Sequence, residues 1–188
     1  MLCTVLRLGN SVELLHSALM YTKLRDTALR LCLVSSKLSL ALYVVADHAV
    51  WAAKLGLVAA DASKLARIAA RFWLISIVAG LLRNIIEISR AFRTEISKRR
   101  EVRQRLAVAS QTSDVQCSLL QQSLDILSRV AANRPLLVDC VKNVADVFLP
   151  SASLGYITTS DGFHGLMGMI SSYMAILTVW DPALKLSP

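Results

Sequence analysis

Asp47 and His48 are the one adjacent acid–histidine pair in this 188-residue chain. A carboxylate that steadies an imidazole is a common start for general base catalysis. Neighbours on a helix point about 100° apart, however, so these two share no proton path and read as polar residues closing an apolar stretch. His16, His48 and His164 stand far from one another, and Cys3, Cys32, Cys117 and Cys140 form no C-x-x-C pair. Each cysteine sits in an apolar helical pattern, where a free thiol behaves as a small hydrophobe, so neither a disulfide framework nor zinc is expected. No G-x-x-x-x-G-K-[ST], G-x-S-x-G or H-E-x-x-H motif occurs. The Gly162, Gly165, Gly168 series lacks the preceding strand of a phosphate loop. The chain therefore reads as a non-enzyme, with no catalytic, cofactor-binding or metal residues and no cofactor.

Two other patterns carry the functional reading. Gly162 to Trp180 is free of formal charge, and as a helix it spans about 28 Å, close to the hydrocarbon thickness of a bilayer. Within it Gly165, Gly168, Ser172 and Ala175 follow a 3-4-3 spacing on one helical face. Such small-residue stripes let membrane helices approach closely, so these four are candidate helix-packing positions for self-association. Trp180 closes the span, where an amphipathic ring favours the headgroup level. The second pattern is basic: Arg90, Arg93, Lys98, Arg99, Arg100, Arg103 and Arg105. It reads as a solvated helix face, as a patch for anionic lipid or a targeting receptor, or as a nucleic-acid patch. No aromatic residue interleaves the charges of the run from Lys98 to Arg105 for base stacking, so nucleic acid is not an expected partner.

The elements that position these residues are helical. Prolines stand only at 135, 150, 182 and 188, so nothing of that kind breaks a helix in the first 134 residues. Leu8, Val12, Leu15 and Leu19 give a first amphipathic helix, with Asn10, Glu13 and Ser17 on other faces. Leu29 to Trp51 is either a span or a membrane-buried amphipathic helix; Lys37 inside it lies about 10 Å from Arg30, within partial reach of a snorkelling side chain. Gly56 and Asp61 suggest a turn, with Asp61 the N-cap of a helix from Ala62 past Leu106. The eleven uncharged residues between Arg71 and Arg83 are too few to span, which predicts an interfacial, re-entrant or packed segment. Gln111 to Asp114 reads as a polar linker, and Cys117, Leu120, Leu124, Leu127 and Ala131 as another apolar stripe. Leu137, Val141, Val144 and Phe148 form the next, with Asp139, Lys142, Asn143 and Asp146 opposite as a surface ion-pair face. Pro150 is expected to end that helix, followed by a loop over Ser151 to Asp161.

Composition agrees with a membrane. Hydrophobic residues make up 55% of the chain and the mean hydropathy is +0.53, yet 21 Lys and Arg face 13 Asp and Glu. Apolar and basic together suit a protein partly in a bilayer and partly on its anionic surface. Residues 83–105 hold eight cations against three acids, whereas 106–188 hold four against six, which places a boundary near Ser110. The expected organisation is 1–60 (amphipathic helix and first membrane-embedded helix), 61–110 (a long interfacial and basic helix) and 111–188 (an amphipathic helix pair and the C-terminal transmembrane helix). The fold class is an all-α membrane protein.

Three blocks then resemble the peroxisomal membrane protein 11 family (peroxin-11), its alpha and beta vertebrate forms in particular. The first is Arg7-Leu8-Gly9-Asn10 with Asp26, Leu29-Arg30-Leu31-Cys32, Ala41-Leu42-Tyr43, Asp47, Trp51 and Gly56-Leu57. The second is Phe72-Trp73-Leu74-Ile75-Ser76 with Arg83 and Glu87-Ile88. The third is Pro135-Leu136-Leu137-Val138-Asp139, Val141-Lys142-Asn143, Asp146, Pro150, Leu154-Gly155, Gly165-Leu166-Met167-Gly168 and Ile170-Ser171-Ser172. The resemblance implies an integral peroxisomal membrane protein that elongates the membrane before fission. It also implies self-association, contact with membrane lipids, and recruitment of a dynamin-like GTPase with its membrane adaptors. Family members usually begin several dozen residues earlier, with an amphipathic helix credited with membrane bending. The alternatives are a non-remodelling helical membrane scaffold or metabolite channel, and a soluble all-α nucleic-acid-binding module.

Overall fold

The structure, a computed structural model, describes residues 2–109 and 133–184. Among the described residues there are five α-helices, α1 (Leu2–Tyr21), α2 (Thr27–Lys54), α3 (Ala62–Ala109), α4 (Arg134–Ser153) and α5 (Asp161–Trp180), followed by a 3-10 turn over Pro182–Leu184. No strand occurs among the described residues. The linker expected at 111–114, the boundary near Ser110 and the stripe from Cys117 to Ala131 lie outside the described residues.

Local chemistry sets the helix ends. Asp26 caps α2, its carboxylate accepting from the amides of Ala28 at 3.1 Å and Leu29 at 3.4 Å. Asp61 does the same before α3, accepting from the Ser63 amide at 2.9 Å and hydroxyl at 2.7 Å. Ser160 caps α5 through the Phe163 amide. Helices α2 and α4 end alike: Gly56 and Gly155 take φ of +74° and +77°, which an L side chain resists. The next amide reaches back to the last turn, Leu57 to the Ala52 carbonyl and Tyr156 to that of Ser151, each at 3.0 Å. Pro150 does not stop α4. It is buried inside the last turn and the helix runs on to Ser153, shortening the expected loop to 154–160. A proline so close to the end removes one hydrogen bond of a helix that was about to finish.

Packing is sequential, each helix lying against the next: α1 on α2, α2 on α3, α3 on α4 and α4 on α5. Leu14 of α1 meets Ala41 and Val44 of α2. Across the α2–α3 seam the Ser36 hydroxyl donates to the Ser76 carbonyl at 3.0 Å and the Ser76 hydroxyl to the Ser36 carbonyl at 2.9 Å. Tyr43 stacks on Trp73 with ring centroids 5.5 Å apart. The residues that α3 buries are mostly small or polar, Ala69, Ala70, Ser76, Ala79 and Asn84 beside Ile77, while Ile68, Ile75, Val78, Leu82 and Ile85 face outward. Large apolar groups outside and small ones inside are what a hydrocarbon solvent favours.

Among the described residues three helices are long and apolar enough to cross a membrane: Thr27–Lys54, the Ala62–Lys98 part of α3, and Asp161–Trp180. The second exceeds the expectation for the run between Arg71 and Arg83. Arg83 turns into a cleft shared with two carboxylates, whereas Arg71 stays exposed near the start of the helix.

Candidate functional site: outward apolar faces and a polar cleft

Both amphipathic helices leave part of their apolar stripe facing outward. In α1 the stripe residues Val12 and Leu19 are 68% and 66% exposed and Leu15 is exposed with them, while Leu14 and Ala18 pack inward. In α4 Leu137 and Val144 are exposed, and Asn143 is buried. The face expected to meet water, Asp139, Lys142, Asn143 and Asp146, instead points at α2 and α3. Spacing decides which residues share a face, but the surrounding medium decides where that face turns. In hydrocarbon the apolar stripe is the compatible outer surface, and polar groups need protein partners.

Those polar groups line a cleft of about 170 Å³ between α2, α3 and α4. Lys37 comes from α2, Arg83 from α3, and Asp139, Lys142, Asn143 and Asp146 from α4, with Ser36, Ser76 and Cys32 at its wall. Asp146, its side chain only 14% exposed, accepts from Lys142 Nζ at 3.2 Å on one oxygen and from the Ser171 hydroxyl of α5 on the other. Asp139 accepts from Asn143 Nδ2 at 3.0 Å. Gly80 lets α4 come close: a Cβ there would stand 3.3 Å from Asn143 Nδ2. A lone cation at a helix centre costs about 2.5–3.5 kcal/mol, and the cleft supplies Lys37 and Arg83 with carboxylates in the same polar space. The sequence signal for this site was the polar residues set within apolar runs, Ser36, Lys37, Ser76 and Arg83; nothing in it said that α4 would supply the other wall.

Helix α5 lies on α4, where Phe163 meets Phe148 edge to face at 5.3 Å. Ser171 is its one fully buried residue among those described. Its small-residue stripe straddles the edge of that contact. Gly168 sits 3.9 Å from Leu149 as measured from its would-be Cβ, and Ala175 is half-buried, whereas Gly165 and Ser172 face outward with open space at Gly165.

The basic run occupies the C-terminal part of α3. Arg90 pairs with Asp26 and so ties α3 to the start of α2. The amide of Leu29, followed by Arg90 and the Ala28 amide, holds the Asp26 carboxyl below its ordinary value. Arg93, Lys98 and Arg100 are exposed; the side chains of Arg99, Arg103 and Arg105 lie outside those described. Lys98 and Arg100 point about 200° apart, so the charge wraps the helix and does not form one stripe. His48 Nδ1 donates to the Val44 carbonyl at 2.6 Å, a bond within its own helix.

Helices with large apolar groups outward, small and polar groups inward and three span-capable lengths define an integral helical membrane protein. The family model of peroxisomal biogenesis factor 11 (PEX11) matches residues 3–180. The chain is 36% identical over 202 residues to peroxisomal membrane protein 11B of Homo sapiens, covering 98% of this chain and 78% of that protein. It is 32% identical over 187 residues to peroxisomal membrane protein 11A of Mus musculus, covering 96% and 75%. No solved structure matches. The chain belongs to the peroxisomal biogenesis factor 11 family and is an integral protein of the peroxisomal membrane.

Proposed function

We propose that this protein elongates the peroxisomal membrane ahead of fission, acting through shallow helices and through assembly with copies of itself. The observation that carries the reading is the exposed stripe Val12, Leu15 and Leu19 on α1. That helix packs one side on α2 and turns Glu13 to the exterior elsewhere, leaving an apolar side for the headgroup–acyl boundary. A helix seated about 5–10 Å into that boundary expands one leaflet, and membrane area follows. Exposed cations at the end of α3 support contact with anionic headgroups. The open half of the small stripe, Gly165 and Ser172, supports close approach of a second copy, which would sum many weak wedges. Family membership supports contact with a dynamin-like GTPase and its membrane adaptors.

The test is peroxisome length in cells lacking their own relatives of this family and supplied with this chain. Elongation is expected with the wild type, and its loss with Leu15→Glu and Leu19→Glu introduced together, at unchanged peroxisomal location. Normal elongation by that variant would remove the wedge. Gly165→Leu should reduce cross-linked oligomers without disturbing the α4–α5 contact, which Gly168→Leu would also strain. Reversing Lys98, Arg99 and Arg100 to Glu should weaken liposome binding, since each surface cation contributes about 1 kcal/mol against anionic lipid.

A further inference from the structure

We propose that Arg30 and Arg71 anchor the α2–α3 pair to phospholipid phosphates in opposite leaflets, holding Ser36 and Ser76 at the middle of the bilayer. These two arginines differ from the other cations nearby. Lys37 and Arg83 have partners within the protein, and Arg90 pairs with Asp26. Arg30 is half-buried and Arg71 exposed. Among the described residues neither side chain takes part in a hydrogen bond or an ion pair.

The serine exchange marks one level on both helices. Ser36 and Ser76 bond each other's carbonyls, and the Asp26–Arg90 and Tyr43–Trp73 contacts show that the helices run antiparallel. At a rise of about 1.5 Å per residue, Arg30 lies about 9 Å from that level toward the Asp26 end. Arg71 lies about 7.5 Å from it toward the opposite end. Asp47 and Glu87 each stand eleven residues beyond a serine, about 16.5 Å away on opposite sides. The exposed large apolar side chains run from Leu31 to Val45 on α2 and from Ile68 to Ile85 on α3, all within about 14 Å of the serines. A hydrocarbon layer about 30 Å thick and centred on the serines therefore takes in those apolar groups and leaves both carboxylates outside.

In that layer each arginine backbone sits about 6–8 Å inside the edge, Arg30 below one face and Arg71 below the other. Helical side chains lean toward the N-terminus of their helix, which for both arginines is the outward direction. A stem of about 6 Å carries each guanidinium to its own interface, where its fork fits two oxygens of a phosphate. The two pulls oppose each other, so neither arginine moves outward without drawing the other inward. The anchoring requires insertion in a membrane, whether or not the chain elongates it.

The experiment places the full chain in phosphatidylcholine bilayers with Trp51→Phe and Trp180→Phe, so that Trp73 alone reports depth. Trp73 stands three residues before Ser76, on the Arg71 side. In this parent chain, lipids brominated near the ends of their acyl chains should quench it more than lipids brominated beside the headgroup. Arg71→Leu releases the pair toward the Arg30 side and should carry Trp73 about 3 Å, two residues of rise, closer to the midplane. Arg30→Leu should carry it a similar distance away, and Arg71→Lys should restore the parent depth. With arginine labelled with carbon-13 at Cζ, solid-state NMR should show contact with lipid phosphorus, and each leucine variant should lose part of it. Stronger quenching of the parent by bromine beside the headgroup overturns the proposal, even where a leucine variant fails to fold. Equal depths, or shifts in one direction in both variants, overturn it as well. Unchanged phosphorus contact also overturns it and would indicate that something other than lipid covers the arginines.

Discussion

The α2–α3 seam and the α3–α4 cleft solve one problem in two ways. Between helices in hydrocarbon, apolar surface gains little by leaving lipid, so contact must come from close packing or from polar partners. The seam combines the two. Ser36 and Ser76 exchange hydroxyl bonds across it, and Tyr43 stacks on Trp73. The cleft takes the second, with Asp139, Lys142, Asn143 and Asp146 facing Lys37 and Arg83 around water-sized space. The difference teaches where strain and where charge will be felt: the seam answers to volume, the cleft to ionisation.

The largest effect should come from the cleft. Asp146→Ala leaves Lys142 without the carboxylate it touches and Ser171 without its acceptor. A loss of about 3 kcal/mol is expected from removing one partner of a mostly buried pair, read as a lower melting temperature in nanodiscs. The paired change Lys142→Met with Asp146→Leu should recover most of it. No recovery would mean that the pair acts through shape and not charge. Next comes Gly80→Val, which pushes Asn143 away and should cost about 2 kcal/mol as an overpacked contact. Gly165→Ala, with open space at its Cβ, should be neutral or stabilise α5 by up to about 1 kcal/mol. Equal costs at the two glycines would erase the distinction between a packed and a lipid-facing position.

On α3, Asn84 is 1% exposed and neither atom of its amide has a hydrogen-bond partner among the described residues. Asn84→Leu should raise stability by about 1 kcal/mol, because an unsatisfied buried amide costs that much or more. A fall in melting temperature would indicate that the amide is held by water. The serine exchange should be weaker: a double-mutant cycle of Ser36→Ala and Ser76→Ala should give a coupling near 0.6 kcal/mol. The smallest effect lies at the rim. Asp26 has a carboxyl held below its ordinary value of 3.8, so its stabilising contribution is complete above that value. It is lost as the pH falls through the lowered folded value. Acid titration of helix content should show this step, and Asp26→Asn should flatten it.

The sequence by itself determined the all-α class, the extent of α3, the glycine turn at Gly56, the Asp61 cap and the charge-free C-terminal span. These are local properties: cap chemistry, proline placement and a 3.6-residue period act within a few residues and leave their mark in order. Only the tertiary structure decided the orientation of faces. Leu137 and Val144 mark a stripe on α4 whichever way the helix turns, and the same holds for Val12 and Leu19 on α1. These residues stay outside because the packed side is filled by Leu14 and Ala18 in one helix and by Leu136, Val138, Asn143 and Ala145 in the other. The cleft was illegible for the same reason. Lys37, Arg83 and Asp146 lie on three helices, and residues so distant in sequence meet only when Gly80 lets α4 settle against α3.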